Sequence, residues 1–69
     1  MHFKDKWGDK IPFKFTAEHD SGVTTYVCYI NPWGDAWHSY GSGRTRQRAI
    51  VEAKHSWEND RITNDVALT

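Results

Sequence analysis

A basic segment in the second half of the chain has residue types that bind phosphate. It reads Gly41-Ser42-Gly43-Arg44-Thr45-Arg46-Gln47-Arg48-Ala49, with three arginines at the predicted start of a helix. A helix start presents N–H groups without intrahelical partners and the positive end of the helix dipole. Thr45 is a residue type that caps such a start. The segment therefore predicts a phosphate site, with Lys54 as a further cation on the helix.

Two interpretations of this segment stay open. In the functional one, the glycines form a loop that lets a nucleic-acid backbone approach, and the arginines neutralise its phosphates. In the structural one, Gly41 and Gly43 only turn the chain, and the arginines are a solvated face of the helix. The two differ in whether a ligand uses the exposed arginines.

The same segment resembles the double-stranded-RNA-binding domain. In that family, the last strand passes through a Gly-x-Gly-basic-Ser/Thr-basic-basic loop into a helix with alanines at matching positions. The residues that fit are Gly41, Gly43, Arg44, Thr45, Arg46, Ala49 and Ala53. The resemblance implies phosphate contacts by Arg44, Arg46 and Arg48 across a groove of duplex RNA. The strand-strand-strand-helix layout is also similar to arm-type DNA-binding domains of phage integrases and to other small phage proteins.

Aromatic residues form a second group of candidates. The group comprises Trp7, Tyr26, Tyr29, Trp33, Trp37, Tyr40 and Trp57. Sheet aromatics among basic residues are able to stack on nucleic-acid bases, but large aromatics also build the core of a small domain, which we expect for Tyr26 and Trp57. Trp33 lies between Pro32 and Gly34 at a predicted turn, a poor place to bury an indole. We expect Trp33 to contact a nucleic acid or a protein partner.

Residues for catalysis or metal binding are sparse. The four histidines are scattered, and no two of them have helical metal-ligand spacing. Cys28 is the single cysteine, so no intrachain disulfide forms, and its position within a predicted strand favours a small buried hydrophobe. A thin sheet with one helix has little volume for a cleft that excludes water. The sequence thus predicts no metal, no cofactor and no enzymatic activity.

Three segments have the pattern of strands. Residues 11–18 alternate apolar and polar side chains, Val23–Ile30 is rich in β-branched and aromatic residues, and Ala36–Tyr40 is a short third candidate. The turn residues His19-Asp20-Ser21-Gly22 connect the first two as a hairpin. We therefore expect a three-stranded antiparallel sheet.

One helix is predicted to follow the sheet, from an N-cap at Thr45 to about Glu58, with Asn59 as the C-cap. Its apolar stripe, which packs on the sheet, is Ala49, Ile50, Ala53 and Trp57. The expected fold is α+β, a single domain over residues 1–69. Residues 1–10 form an N-terminal arm, 11–58 the sheet and helix, and 59–69 a tail.

Length and charge limit the function classes. The 69 residues carry nine Lys plus Arg against nine Asp plus Glu, and 14% are aromatic, which argues against disorder. The cations concentrate in residues 1–14 and 44–54, so local rather than global charge favours nucleic acid. No segment approaches the roughly 20 apolar residues of a membrane span. We expect a cytoplasmic protein that does not bind membranes.

Two functions follow from these features. The first is a small non-enzymatic module that binds duplex RNA or DNA through Gly41, Gly43, Arg44, Thr45, Arg46, Arg48, Lys54 and Trp33. The second is a phage-encoded inhibitor, of the anti-CRISPR or a similar host-takeover kind, that binds a protein component of a host nucleic-acid-handling machine in the host cytoplasm. In the second, Trp33 and the mixed-charge surface make the contacts.

Overall fold

The sheet has four strands, not the three predicted. The computed structural model describes residues 1–68, with side chains for residues 1–63. The elements are β1 (His2–Lys4), β2 (Lys10–Asp20), β3 (Val23–Ile30), β4 (His38–Gly43) and α1 (Arg46–Leu68). The strands are antiparallel neighbours in the order β1-β2-β3-β4, and α1 packs on one face. The predicted α+β class with a C-terminal helix on an antiparallel sheet is confirmed.

Strand β1 lies within the segment predicted as an arm. It pairs with the start of β2, with Phe3 opposite Ile11, and Phe3 stacks on Phe13 with ring centroids 6.0 Å apart. A tight turn joins the two strands, and Gly8 adopts a φ of 85° there. A strand of three residues is too short for an alternating pattern, so sequence periodicity cannot detect it.

The hairpin of β2 and β3 is confirmed, and the observed bounds of β3 are those predicted. Its register runs from Phe13 opposite Ile30 to Asp20 opposite Val23. The turn contains Ser21 at a φ of 50° and Gly22 at a φ of 79°. These left-handed conformations are typical of the tight turns that join antiparallel strands.

Helix α1 begins as predicted and continues past the predicted end. The Thr45 hydroxyl accepts a hydrogen bond from the Arg48 backbone N–H at 3.1 Å, which is the expected N-cap. Asn59 lies within the helix rather than at its end. The predicted tail is helical through Leu68, while Thr69 lies outside the described residues. Within the described part of the chain, α1 lacks the apolar stretch that crossing a membrane requires.

The core lies between α1 and the sheet. Its buried side chains are Phe3, Ile11, Phe13, Cys28, Ile30, Ala49, Ala53 and Trp57. The predicted stripe faces the sheet, with Ala49, Ala53 and Trp57 buried, while Tyr26 is half-buried against the core. Burial raises the pKa of Cys28 to about 11, as expected for a thiol in an apolar environment.

Candidate nucleic-acid interface

The start of α1 presents a basic surface to solvent. Arg44 and Thr45 connect β4 to α1, and the side chains of Arg44, Arg46 and Arg48 are exposed. The first turn of the helix contains no acidic residue. The N–H groups of Arg46 and Gln47 lie at the helix start, where the helix offers them no acceptor. Three exposed arginines and the positive end of the helix dipole thus lie at the same end of α1.

The contacts of these arginines within the protein are weak. The Nε of Arg48 lies 3.6 Å from Oε1 of Glu52, and both side chains are well exposed. An exposed pair at this helical spacing contributes only about 0.3–0.5 kcal/mol. The guanidinium carbon of Arg46 lies 5.5 Å from the centre of the Tyr26 ring. A phosphate group is able to replace either contact at small cost.

The two glycines have a packing role that differs from the expected loop. Gly41 and Gly43 belong to strand β4, opposite Cys28 and Tyr26. A Cβ added to Gly41 would clash with the backbone N of Ala53 and would lie 2.6 Å from the carbonyl oxygen of Ala49. One added to Gly43 would lie 2.5 Å from Arg48 Cγ. The glycines therefore let α1 approach β4, and they form no open cradle for a ligand.

Lys54 lies apart from the arginines. It follows Arg48, the nearest of them, by six residues, which is about 9 Å along the helix axis. Lys54 is half-buried, whereas the three arginines are exposed. Arg44, Thr45, Arg46 and Arg48 are therefore neighbours at the helix start, and Lys54 lies further along the helix.

Trp33 is exposed as predicted, but it lies beside the middle of α1, away from the arginines. Its indole is 57% exposed and makes an edge contact with Trp57, with centroids 5.5 Å apart. Trp57 follows Arg46 by eleven residues, or about 16 Å along the axis. Trp33 forms one wall of a groove of about 530 Å³ whose lining is Asp9, Lys10, Ile11, Pro32, Trp33, Trp57 and Arg61. The arginines and Trp33 are two separate surfaces.

Asp5 forms a buried polar centre that the sequence did not indicate. Its carboxylate accepts hydrogen bonds from Trp57 Nε1 at 3.0 Å and from Arg61 at 3.0 Å. The N–H groups of Trp7 and Asp9 donate to the same carboxylate at 3.0 and 2.9 Å. Burial raises the pKa of Asp5, but the hydrogen bonds from Trp57 and the two backbone groups, together with the Arg61 charge, outweigh burial and lower it. The four donors occupy both carboxylate oxygens, so this centre joins the β1–β2 turn to α1.

Comparison with known proteins gave no match: no family model fits the sequence, and no curated protein or solved structure matches it significantly. The small sheet with one C-terminal helix is compatible with a β-β-β-α layout. The likeness to the double-stranded-RNA-binding domain depends on the motif between Gly41 and Ala53 alone.

Proposed function

We propose that this protein is a small non-enzymatic nucleic-acid-binding module that contacts phosphates through Arg44, Arg46 and Arg48 and the start of α1. The observation that supports it is the presence of three exposed arginines at a helix start that has no carboxylate in its first turn. Arginine binds phosphate oxygens in a fixed, often bidentate geometry, and a helix start favours the same anion. In this proposal, Gly41 and Gly43 act only by setting the position of the helix.

Binding of this kind depends on charge and shape, with few contacts to base edges. Three phosphate contacts on a duplex correspond to a slope of about −2.7 in log K against log salt concentration. The protein has no net charge, and Glu18 and Asp20 lie on the β2–β3 hairpin. We therefore expect moderate affinity that falls steeply with salt. The duplex is RNA or DNA, and the motif resembling the double-stranded-RNA-binding domain favours RNA.

A titration of labelled duplex RNA, duplex DNA and single strands at two salt concentrations tests this proposal. The double substitution Arg44→Ala with Arg46→Ala is expected to weaken duplex binding by at least about tenfold, since hydrogen bonds to charged groups are worth about 1.5–3 kcal/mol each. Lys6→Gln is the matched control, because it removes an exposed cation on the β1–β2 turn. The proposal would be refuted if the control and the double variant lost duplex affinity equally, or if no duplex bound at low salt.

A second candidate is a phage-encoded protein, similar to anti-CRISPR proteins in size and layout, that inhibits a host nucleic-acid machine by direct contact. The groove beside Trp33 favours it, because an exposed tryptophan on a concave surface is a frequent energetic anchor in protein interfaces. Affinity capture of protein partners from cell extract distinguishes the two candidates. If Trp33→Ala abolishes the capture of a partner and the double arginine substitution does not, the result would favour inhibition by protein contact.

A further inference from the structure

The sheet has a second face that α1 does not cover. Phe13, Cys28 and Gly41 point to the helix side, where Phe13 and Cys28 are buried and Gly41 faces Ala53. Side chains alternate between the two faces of a strand, so Lys14 and its partner Tyr29 lie on the opposite face. No described element packs on that face.

Lysines are concentrated at the β1–β2 end of this open face. Lys4 and Lys10 are direct cross-strand partners, and Lys14 follows on β2, about 13 Å further along the strand. None of the three has a carboxylate within 4.0 Å among the side chains of residues 1–63. The nearby Asp5 and Asp9 are both bound to Arg61. Like charges placed directly opposite destabilise a sheet, so the Lys4–Lys10 pair costs stability that no described ion pair offsets.

Two aromatic side chains lie beside Lys14, one of these lysines. Tyr29 is half-buried in the row that also holds Lys14 and Ser39. Trp37, in the segment before β4, is 41% exposed, and its ring centre lies 4.6 Å from the Nζ of Lys14. The contact with Lys14 places the indole at the open face. Two π-systems therefore border Lys14 on the open face, and Lys4 and Lys10 lie about 13 Å further along the same face.

We propose that this open face binds single-stranded nucleic acid, with bases stacked on Tyr29 and Trp37 and phosphates held by Lys4, Lys10 and Lys14. A face that carries both cations and aromatic rings suits a single strand, which presents both phosphates and unpaired bases. The bases of a duplex are stacked on each other and present no free faces to a ring. An acidic peptide would pair with the lysines and would leave the ring faces without a partner.

This site goes beyond the proposed function and does not depend on it. The arginines lie at the helix start, which follows Gly43, and Gly43 pairs with Tyr26 at the far end of β3 from Ile30. The lysines lie on the half of the sheet where β2 begins, and on the face that α1 does not cover. Substitutions in one site therefore leave the other site unchanged, and failure of either proposal is visible separately.

Fluorescence anisotropy with labelled oligo-dT and oligo-U of about 12 nucleotides, within the range of roughly 4–16 that a small domain covers, tests the site. Trp37→Leu is expected to weaken binding about 5- to 150-fold, the equivalent of 1–3 kcal/mol per stacked base. Trp37→Phe retains a ring and is expected to stay close to wild type. Trp33→Leu removes another exposed indole, from the groove beside Trp57, and is the control.

The lysines have their own measurement. Changing Lys4, Lys10 and Lys14 to Gln is expected to reduce the salt dependence of single-strand binding by about two in log–log slope. Tyr29→Leu is expected to weaken single-strand binding as Trp37→Leu does. Because Tyr29 is half-buried, the melting curve of this variant is also recorded. Trp37 lies outside the strands, so its substitution decides the proposal even if the Tyr29 variant unfolds.

Several outcomes would overturn the proposal. One is that neither oligomer binds at low salt. Another is that Trp33→Leu loses as much affinity as Trp37→Leu. A third is that a duplex binds more tightly than the single strands and depends on Trp37 to the same degree. Equal binding of a poly-glutamate peptide without dependence on Trp37 would show that the face serves an acidic protein instead. Stronger binding of oligo-U than of oligo-dT, or the reverse, would identify RNA or DNA as the strand and would support the site in either case.

Discussion

The indole Nε1 of Trp57 donates a 3.0 Å hydrogen bond to Oδ2 of Asp5, across 52 residues of sequence. This bond joins the turn after β1 to the middle of α1. Arg61, one turn further along the helix, binds the same carboxylate oxygen. The N-terminal segment is thus held against the helix by a buried carboxylate, in addition to the pairing of β1 with β2.

Replacing Asp5 with Ala is expected to destabilise the fold by roughly 2–4 kcal/mol. The substitution leaves the Trp57 N–H buried without an acceptor and removes one of the two partners of Arg61. Urea unfolding followed by circular dichroism measures the change. Glu18→Gln, on the exposed hairpin, is the control and is expected to change stability by less than about 0.5 kcal/mol. A change in the Asp5 variant as small as in the control would show that the carboxylate centre is dispensable.

Stability is expected to fall in acid because of Asp5. Its pKa is lowered in the folded protein from an ordinary value of 3.8, so the unfolded chain takes up the proton first as pH falls. The stabilisation is complete above about pH 4 to 5 and is lost as pH falls through the folded pKa. Unfolding free energies measured between pH 7 and pH 2 report this loss. Asp5→Asn should show a shallower acid decline than wild type, and parallel declines would argue against Asp5 as the cause.

Gly41→Ala is expected to destabilise the protein by about 1–3 kcal/mol, because the added methyl group meets the backbone of Ala49 and Ala53 and forces α1 away from β4. Thermal melting is the measurement. Ser42→Ala, the exposed neighbour whose side chain alternates to the other face, should melt close to wild type. If Gly41 were instead part of an open ligand loop, alanine would be tolerated there and would change only binding.

Thr45→Ala is expected to cost about 1 kcal/mol of stability, because the Arg48 N–H loses its side-chain acceptor at the helix start. Thr45→Ser keeps the hydroxyl and should restore most of the loss. Both variants are compared by urea unfolding. Equal stability of the alanine and serine variants would indicate that the cap contributes nothing.

Cys28 is expected to resist thiol reagents in the folded protein. The residue is fully buried, and its pKa of about 11 leaves little thiolate at pH 8. Labelling with a chromogenic disulfide reagent, with and without denaturant, measures the protection. Reaction in native buffer as fast as in denaturant would show that the sheet opens readily around β3.

Local signals in the sequence were sufficient to predict much of the fold. The bounds of β3, the hairpin turn at Ser21 and Gly22, the cap at Thr45 and the buried stripe ending at Trp57 depend on residues within a few positions of one another. Alternation, turn propensity, capping and helical spacing all operate at that range. The exposure of Trp33 followed from its turn neighbours in the same way, and so did the exposure of the arginines at the helix start.

Features that depend on distant contacts were decided by the tertiary structure. Strand β1 exists because Phe3 and Asp5 find partners in β2 and α1, and Arg61 in the extended part of the helix contacts the same Asp5. The glycines of β4 appeared in the sequence to be a loop, yet the close approach of α1 makes them packing residues. The open face that carries Lys14 and Tyr29 likewise emerges only when the strands are paired, since register decides which side chains become neighbours. Such contacts join residues with no common local pattern, and no spacing along the chain encodes them.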